Sequence, residues 1–131
     1  MTEAVTLIRS CLDAFNRGDI PTFLAAVADD CQWSGSAAPD LPYSGSFTGP
    51  GGAAKFLEAI GSNLDVTRFE FDRYVGDGDE VVALGRWGGT VKANGRPYDS
   101  RLALRFQVRD GKIVRFIGYE DTALIASALR G

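Results

Sequence analysis

Apolar residues recur every three to four positions at the start of the chain, with polar residues between them. The apolar positions are Val5, Ile8, Leu12 and Phe15. This spacing predicts an amphipathic helix. Gly18 suits the C-terminal end of that helix, and Asp19 followed by Pro21 suits the start of a short second one. A second apolar stripe after Gly52 predicts a third helix. Its members are Phe56, Leu57, Ile60 and Leu64.

After the third helix the hydrophobic period changes to about two residues, which is typical of strands. Four long strands are predicted, at about residues 66–75, 80–92, 97–109 and 112–120. Asn94-Gly95 and Asp110-Gly111 lie between strands and are strong hairpin signals. The second half of the chain is therefore predicted to be an antiparallel meander. A brief strand at residues 31–34 precedes it, and a short helix at residues 123–129 follows it.

Helices followed by a long-stranded meander indicate an α+β fold. We expect a cone-shaped, strongly twisted antiparallel sheet wrapped over three N-terminal helices, with one open-ended pocket and a short C-terminal helix. A length of 131 residues favours one domain spanning residues 1–131. Residues 35–52 are rich in Gly, Ser and Pro and are predicted to form a loop. Loops of that length in compact domains are often functional.

Composition excludes several kinds of chemistry. The chain has no histidine, so Ser-His and Cys-His nucleophilic catalysis are excluded, and the commonest transition-metal ligand is missing. A formal net charge of −3 with dispersed Lys and Arg argues against nucleic-acid binding. No apolar run is long enough to span a membrane, and residues 1–3 do not begin a signal peptide. We expect a cytoplasmic protein with no bound metal or cofactor, in which Cys11 and Cys31 are two buried thiols.

Five short motifs in their order along the chain resemble the nuclear transport factor two-like superfamily. Within it the chain is most similar to SnoaL-like and ketosteroid-isomerase-related proteins, and the resemblance covers essentially the whole chain. The motifs are FNRGD at residues 15–19, ADD at 28–30, GPGG at 49–52, GRPYDS at 95–100 and DGKIV at 110–114. The superfamily includes isomerases, cyclases, epoxide hydrolases, dehydratases and non-catalytic binding subunits, so the resemblance implies the fold and not one reaction.

The ketosteroid-isomerase pattern is only partly retained. The resemblance places the carboxylate base at Gly35 and the tyrosine of the first helix at Ser10. Neither residue has the side chain that the isomerase reaction needs. The acid on the later strand falls on Asp99, which is retained. A steroid-isomerase mechanism is therefore not expected.

Two other members of the superfamily give different results. Limonene-type epoxide hydrolases need an arginine that falls on Arg86 and two acids that fall on Gly88 and Gly118, so their reaction is not expected. SnoaL cyclases use an aspartate on the third long strand to remove a proton beside carbonyl groups. Asp99 lies on that strand, and this analogy implies Asp99 as the catalytic residue.

The position of Asp99 has two alternatives. A carboxylate inside an apolar cavity has a raised pKa that suits acid or base work. Strict alternation, however, places Ser100, Leu102 and Leu104 on one face of the strand and Asp99 on the other. Only a bulge near Pro97 would turn Asp99 inward. Otherwise Asp99 is a surface residue paired with a cation such as Arg101.

We expect the pocket to bind a small hydrophobic molecule through residues from several elements. An ion pair between Arg86 and Glu120 inside the mouth is one expectation, and two rim charges are the alternative. Trp33 and Tyr43 flank the Gly- and Pro-rich loop, although plain core packing would also account for Trp33. The predicted ligand-binding residues are Phe15, Trp33, Tyr43, Phe56, Arg86, Leu102, Leu104, Phe116 and Glu120.

Two functions follow from these residues. One is a cofactor-independent isomerase or cyclase that acts on a small apolar carbonyl compound through Asp99. The other is a binding protein or accessory subunit that holds such a molecule unchanged, which the glycines at the lost acid positions favour. Convergence of at least two ionisable side chains in the cavity would favour the enzyme.

A homodimer through the sheet is also expected. The face of the sheet away from the helices is predicted to carry Trp87, Val91 and Ala103 among arginines. A mixed apolar and polar face of this kind suits a two-fold contact between copies.

Overall fold

The structure of the chain is a computed structural model that describes residues 2–35 and 38–131. Within these residues, the chain forms four helices and six strands in an α+β arrangement. They are α1 (Glu3–Asn16), α2 (Ile20–Ala25), β1 (Val27–Ser34), β2 (Ser46–Thr48), α3 (Gly49–Asn63), β3 (Leu64–Asp77), β4 (Glu80–Val91), β5 (Pro97–Arg109), β6 (Lys112–Glu120) and α4 (Thr122–Arg130).

Side-chain caps fix the starts of three helices. The Thr2 hydroxyl accepts a hydrogen bond from the Val5 backbone N–H at the start of α1. Asp19 caps α2 and Asp121 caps α4 in the same way. These side chains satisfy backbone donors that the first turn of a helix leaves free. Gly18, at φ 79°, ends α1 in the left-handed conformation, as predicted.

The strands form one six-stranded sheet in the order β2-β1-β6-β5-β4-β3. Strands β3 to β6 pair antiparallel, which confirms the predicted meander and the α+β fold class. β1 pairs parallel to β6, so the sheet is mixed and not purely antiparallel. The sheet is open, and the N-terminal helices cover one of its faces.

The region predicted as a loop differs from the structure in two places. β2 lies inside it, and α3 begins at Gly49, four residues earlier than expected. β1 is also longer than the predicted strand, because it begins at Val27. The part of the predicted loop at residues 36 and 37 lies outside the described residues.

The face of β4 that meets the helices is the opposite of the one predicted. Trp87 and Val91 are buried on the inner face, whereas Arg86 is exposed on the outer face. Trp87 lies directly across from Ser100 on β5, whose side chain also faces inward. Successive side chains of a strand point to opposite faces. Assigning one residue to the wrong face therefore assigns every other residue of that strand to the wrong face as well. Ala103, on β5, does lie on the outer face.

No helix within residues 2–35 and 38–131 combines the length and the apolar character needed to cross a membrane.

Candidate functional site

A cavity of about 460 Å³ lies between the inner face of the sheet and helices α1, α2 and α3. Volumes of this order are typical of small-molecule sites. The lining residues that are exposed to solvent are Glu58 and Gly61 on α3 and Val66 on β3. The mouth of the cavity therefore lies between α3 and β3.

Aromatic rings make up much of the cavity wall. The rings of Trp33 on β1 and Phe116 on β6 stack with centroids 4.1 Å apart. Phe56 from α3 meets Trp33 edge to face, which ties the helix to the sheet. Such packing is favourable and holds the wall rigid. The aromatic lining residues are Phe15, Phe23, Trp33, Tyr43, Phe56, Phe69, Trp87, Phe106 and Phe116.

A half-buried carboxyl group lies in the sheet wall of this apolar cavity. Glu120 is the last residue of β6 and shares the inward face of that strand with Phe116 and Gly118. The Tyr43 hydroxyl donates a hydrogen bond of 2.8 Å to Glu120 Oε2. No other described residue donates to this carboxyl group or forms an ion pair with it. One of its oxygen atoms is therefore held in place, and the other has no hydrogen-bond partner among the described residues.

Burial dominates the electrostatics of this pair. It raises the pKa of Glu120 to about 7, while the hydrogen bond from Tyr43 acts weakly in the opposite direction. Burial and the nearby Glu120 carboxyl also raise the pKa of Tyr43. Burial and nearby carboxylates raise the pKa of Tyr98, a neighbour on β5, to about 12. Near neutral pH the two tyrosines stay protonated and Glu120 is present in both of its forms.

Tyr43 reaches Glu120 because the loop that carries it folds back onto β1. The Gly35 N–H donates to the carbonyl oxygen of Gly45 at 2.8 Å, which closes the loop. A Cβ atom on Gly35 would overlap the carbonyl oxygen of Tyr43 and approach the Phe56 ring. Glycine is therefore required at the position where the family resemblance implies a catalytic acid.

Replacing Gly35 with Ala is expected to lower the free energy of unfolding by about 1–3 kcal/mol, because the new methyl group forces the loop away from β1. Gly118→Ala is the matched control, since a Cβ there meets Leu104 and Phe116 at 3.5 Å, an ordinary contact distance. Urea unfolding measures both variants. Equal stability of Gly35→Ala and the wild type would contradict the close approach of the loop.

The structure places Asp99 and Arg86 outside the cavity, contrary to the interior roles considered for them. The register between β4 and β5 is regular through Asp99, so no bulge turns its side chain inward. Asp99 is about half exposed on the outer face and forms ion pairs with Arg86 at 3.1 Å and Arg68 at 3.4 Å. The expected pair of Arg86 with Glu120 is therefore wrong, and so is Arg101 as the partner of Asp99.

The remaining predicted ligand-binding residues all line the cavity. They are Phe15, Trp33, Tyr43, Phe56, Leu102, Leu104, Phe116 and Glu120. Their binding role stays a prediction. Sequence reasoning missed Trp87, which lines the wall near Tyr43 with ring centroids 6.1 Å apart. The sequence pattern that could have found it is its even spacing from the apolar residues Val81 and Ala83 on β4, which places all three on one face of the strand.

The profile of the SnoaL-like domain family matches residues 8–116. The chain therefore belongs to the SnoaL-like family, as its motifs indicated. No match to a protein of curated function was found.

Solved structures with the same fold cover nearly the whole chain. An NTF2-like protein from Burkholderia thailandensis is 26% identical over 100% of both chains, with a TM-score of 0.91. An NTF2-like protein from Burkholderia xenovorans is 26% identical over 97% of this chain and 95% of that one, with a TM-score of 0.85. A protein from Xanthomonas campestris, proposed to be a polyketide cyclase, is 24% identical over 96% of both chains, with a TM-score of 0.80. That last likeness shows the fold alone.

Proposed function

We propose that the protein binds a small apolar carbonyl compound in the cavity and moves a proton on it through Glu120, as an isomerase or cyclase does. The observation that carries this proposal is the Glu120 carboxyl, which lies in an apolar cavity with one oxygen held by Tyr43. A pKa of about 7 suits both removal and return of a proton near neutral pH.

The proposed step is balanced without a further reactant. The ionised Glu120 removes a proton from the carbon beside the carbonyl group, and the electron pair of the C–H bond moves to form an enolate. The protonated Glu120 then returns the proton to the same carbon or to another carbon of the conjugated system. Tyr43 holds the carboxyl in position, and the aromatic walls hold the apolar part of the compound. Between the two steps the proton on Glu120 exchanges with solvent. No cofactor is required for this chemistry.

Deuterium exchange tests this function without knowledge of the natural substrate. Apolar ketones such as 2-tetralone are incubated with the protein in D₂O, and exchange beside the carbonyl is followed by NMR. We expect exchange above the buffer rate. The matched control is Gly61→Trp, because a Cβ on Gly61 meets open space and a large side chain there obstructs the mouth. Exchange that Gly61→Trp leaves unchanged would not come from the cavity and would contradict the proposal.

Binding without catalysis is the second candidate function. Glycine at Gly35, Gly88 and Gly118, the positions of lost acids, favours it. Two ionisable side chains nevertheless converge in the cavity, since Tyr43 and Glu120 are hydrogen-bonded. This convergence is the reason for preferring the enzyme. Tight binding of ketones with no exchange above the buffer rate would favour the binding protein instead.

We also propose that two copies associate through the outer face of the sheet, although not through Trp87. A groove on this face is lined by Leu84, Ala103 and Tyr119, with Arg86 and Arg101 among them. Tyr119 is 51% exposed, so much of its ring is accessible to a second copy. An isologous contact would cover these residues in both copies.

Sedimentation equilibrium at micromolar concentration is expected to give twice the monomer mass. Tyr119→Glu is expected to give a monomer, because the contact would lose an aromatic ring and have to desolvate a carboxylate. Leu124→Glu is the matched control, since Leu124 is an exposed apolar residue on α4. A wild-type monomer, or a dimer that survives Tyr119→Glu, would contradict this interface.

We further propose a cytoplasmic location, supported by the free, buried thiols of Cys11 and Cys31, because unpaired thiols are typical of reducing compartments.

A further inference from the structure

We propose that the cavity also binds apolar ammonium compounds, with Glu120 as their counter-ion, and that it rejects apolar carboxylates of the same shape. This ligand class goes beyond the proposed carbonyl chemistry and does not depend on it.

The charges that line the cavity all have one sign. Glu58 at the mouth and Glu120 in the sheet wall are the charged residues among the described lining side chains, and no described Lys or Arg lines the cavity. Glu58 forms no ion pair with any other described residue. A ligand that enters the cavity therefore meets negative charge on α3 at the mouth and on β6 in the wall. Attraction is strengthened where the apolar walls exclude water, and repulsion of an anion is strengthened equally.

The Glu120 carboxyl forms no ion pair with any described residue. Ionised Glu120 receives one hydrogen bond, from Tyr43, and its other oxygen has no donor among the described residues. A buried carboxylate without a cation is costly, and a partner that brings both a donor and a positive charge offsets that cost. A protonated amine supplies both, whereas an alcohol supplies a donor alone.

The aromatic walls beside Glu120 suit a cation as well. Tyr43, which contacts the carboxyl group, meets the Trp87 ring nearly at right angles, with an interplanar angle of 81°. Aromatic faces attract cations, Trp most strongly, and ammonium ligands are commonly held between aromatic rings and a carboxylate. The more distant walls are apolar and accept the hydrophobic part of the ligand.

Three ligands with one skeleton test this selectivity at pH 8, where most of Glu120 is ionised. They are 4-phenylbenzylamine, 4-phenylbenzyl alcohol and 4-phenylbenzoate, and calorimetric titration gives their dissociation constants. We expect the amine to bind at least tenfold more tightly than the alcohol, and the carboxylate to bind more weakly than the alcohol. No amine binding at millimolar concentration, or an amine that binds no more tightly than the alcohol or the carboxylate, would overturn the proposal.

Two variants, each of which removes one negative charge, show whether Glu120 causes the preference for the amine. Glu120→Gln is expected to bring the amine to within about threefold of the alcohol. Asp99→Asn also removes one carboxylate, but from the outer face, and is expected to keep the preference for the amine. Loss of the preference in both variants would mean that overall charge causes it, and an unchanged preference in Glu120→Gln would exclude Glu120. Either result would overturn the proposal.

The wild type supplies a test that needs no variant. The titratable groups that interact with Glu120 are Tyr43 from the loop and Tyr98 from β5, and both stay neutral between pH 6 and 8; Arg86, Arg101 and Asp121 line the outer groove with it. Lowering the pH from 8 to 6 is therefore expected to weaken amine binding about tenfold through protonation of Glu120 and to leave alcohol binding nearly unchanged. Equal pH dependence of the two ligands would overturn the proposal. Failure of ketone exchange would not affect these results, so the two proposals fail separately.

Discussion

Replacing Glu120 with Gln is expected to lower the rate of ketone proton exchange by roughly 10²–10⁴-fold, the range that one general acid or base supplies. The amide keeps the size of the side chain and can still accept the hydrogen bond from Tyr43, but it cannot take up the proton. The binding of neutral ketones is expected to change little. NMR measurement of exchange at saturating ketone separates the loss of rate from any loss of binding.

Asp99→Asn is the matched control for this experiment. Asp99 is the residue that the family analogy implied, but its side chain lies on the outer face, where Arg68 and Arg86 pair with it. We expect the exchange rate of this variant to equal that of the wild type. Loss of exchange in Asp99→Asn with full activity in Glu120→Gln would reverse the assignment and return the proton transfer to Asp99.

The second large effect is on stability and is expected to depend on pH. Glu120 has a pKa of about 7 in the folded protein and an ordinary value of 4.5 when exposed. The folded protein therefore keeps the proton longer than the unfolded chain. The stabilisation of the folded protein that comes from protonated Glu120 is complete below about pH 4.5 and is lost as the pH rises through about 7. Over that window the contribution of Glu120 to the free energy of unfolding should fall by about 3 kcal/mol.

Comparison with Glu120→Gln isolates this contribution from that of the other carboxyl groups. Urea unfolding of both proteins at several pH values between 4.5 and 8 gives the difference in their free energies of unfolding. We expect the wild type to lose stability relative to Glu120→Gln as the pH rises, and Asp99→Asn to follow the wild type. A difference that is constant with pH would mean that Glu120 titrates normally.

Local rules of sequence predict much of the fold because its elements are marked by short-range signals. The Gly18-Asp19 corner, the Asp121 cap and the Asp110-Gly111 turn each lie where the sequence places them. The parallel pairing of β1 with β6 could not be predicted in this way. It joins segments that are about eighty residues apart, and no local pattern records such a contact.

The face of β4 was mispredicted because both of its faces carry apolar residues. Val82 and Leu84 suggest one face, whereas Val81 and Ala83 suggest the other. The choice is made by the neighbouring strands, since the register with β5 places Trp87 across from Ser100. Alternation along one strand contains no information about which neighbour covers it.

The site was only partly predictable for a similar reason. Glu120 lies four residues after Phe116 on the same strand and therefore on the same face. This spacing indicates an inward carboxyl group, and the structure has it there. Its partner Tyr43 is 77 residues away and reaches it only because the loop closes on Gly35. The family analogy favoured Asp99, but the regular pairing of β5 holds that side chain outside.

The most direct test of the central claim is the titration of Glu120 itself. Carbon-13 labelling of the glutamate carboxyl groups and comparison with Glu120→Gln identify its signal, which is followed by NMR from pH 4 to 9. A midpoint near 7 is predicted, and it should move upward in Tyr43→Phe because the hydrogen bond that favours the ionised form is lost. A midpoint near the ordinary value of 4.5 would mean that the carboxyl group is solvated, and it would contradict the account of a half-buried proton carrier in an apolar cavity.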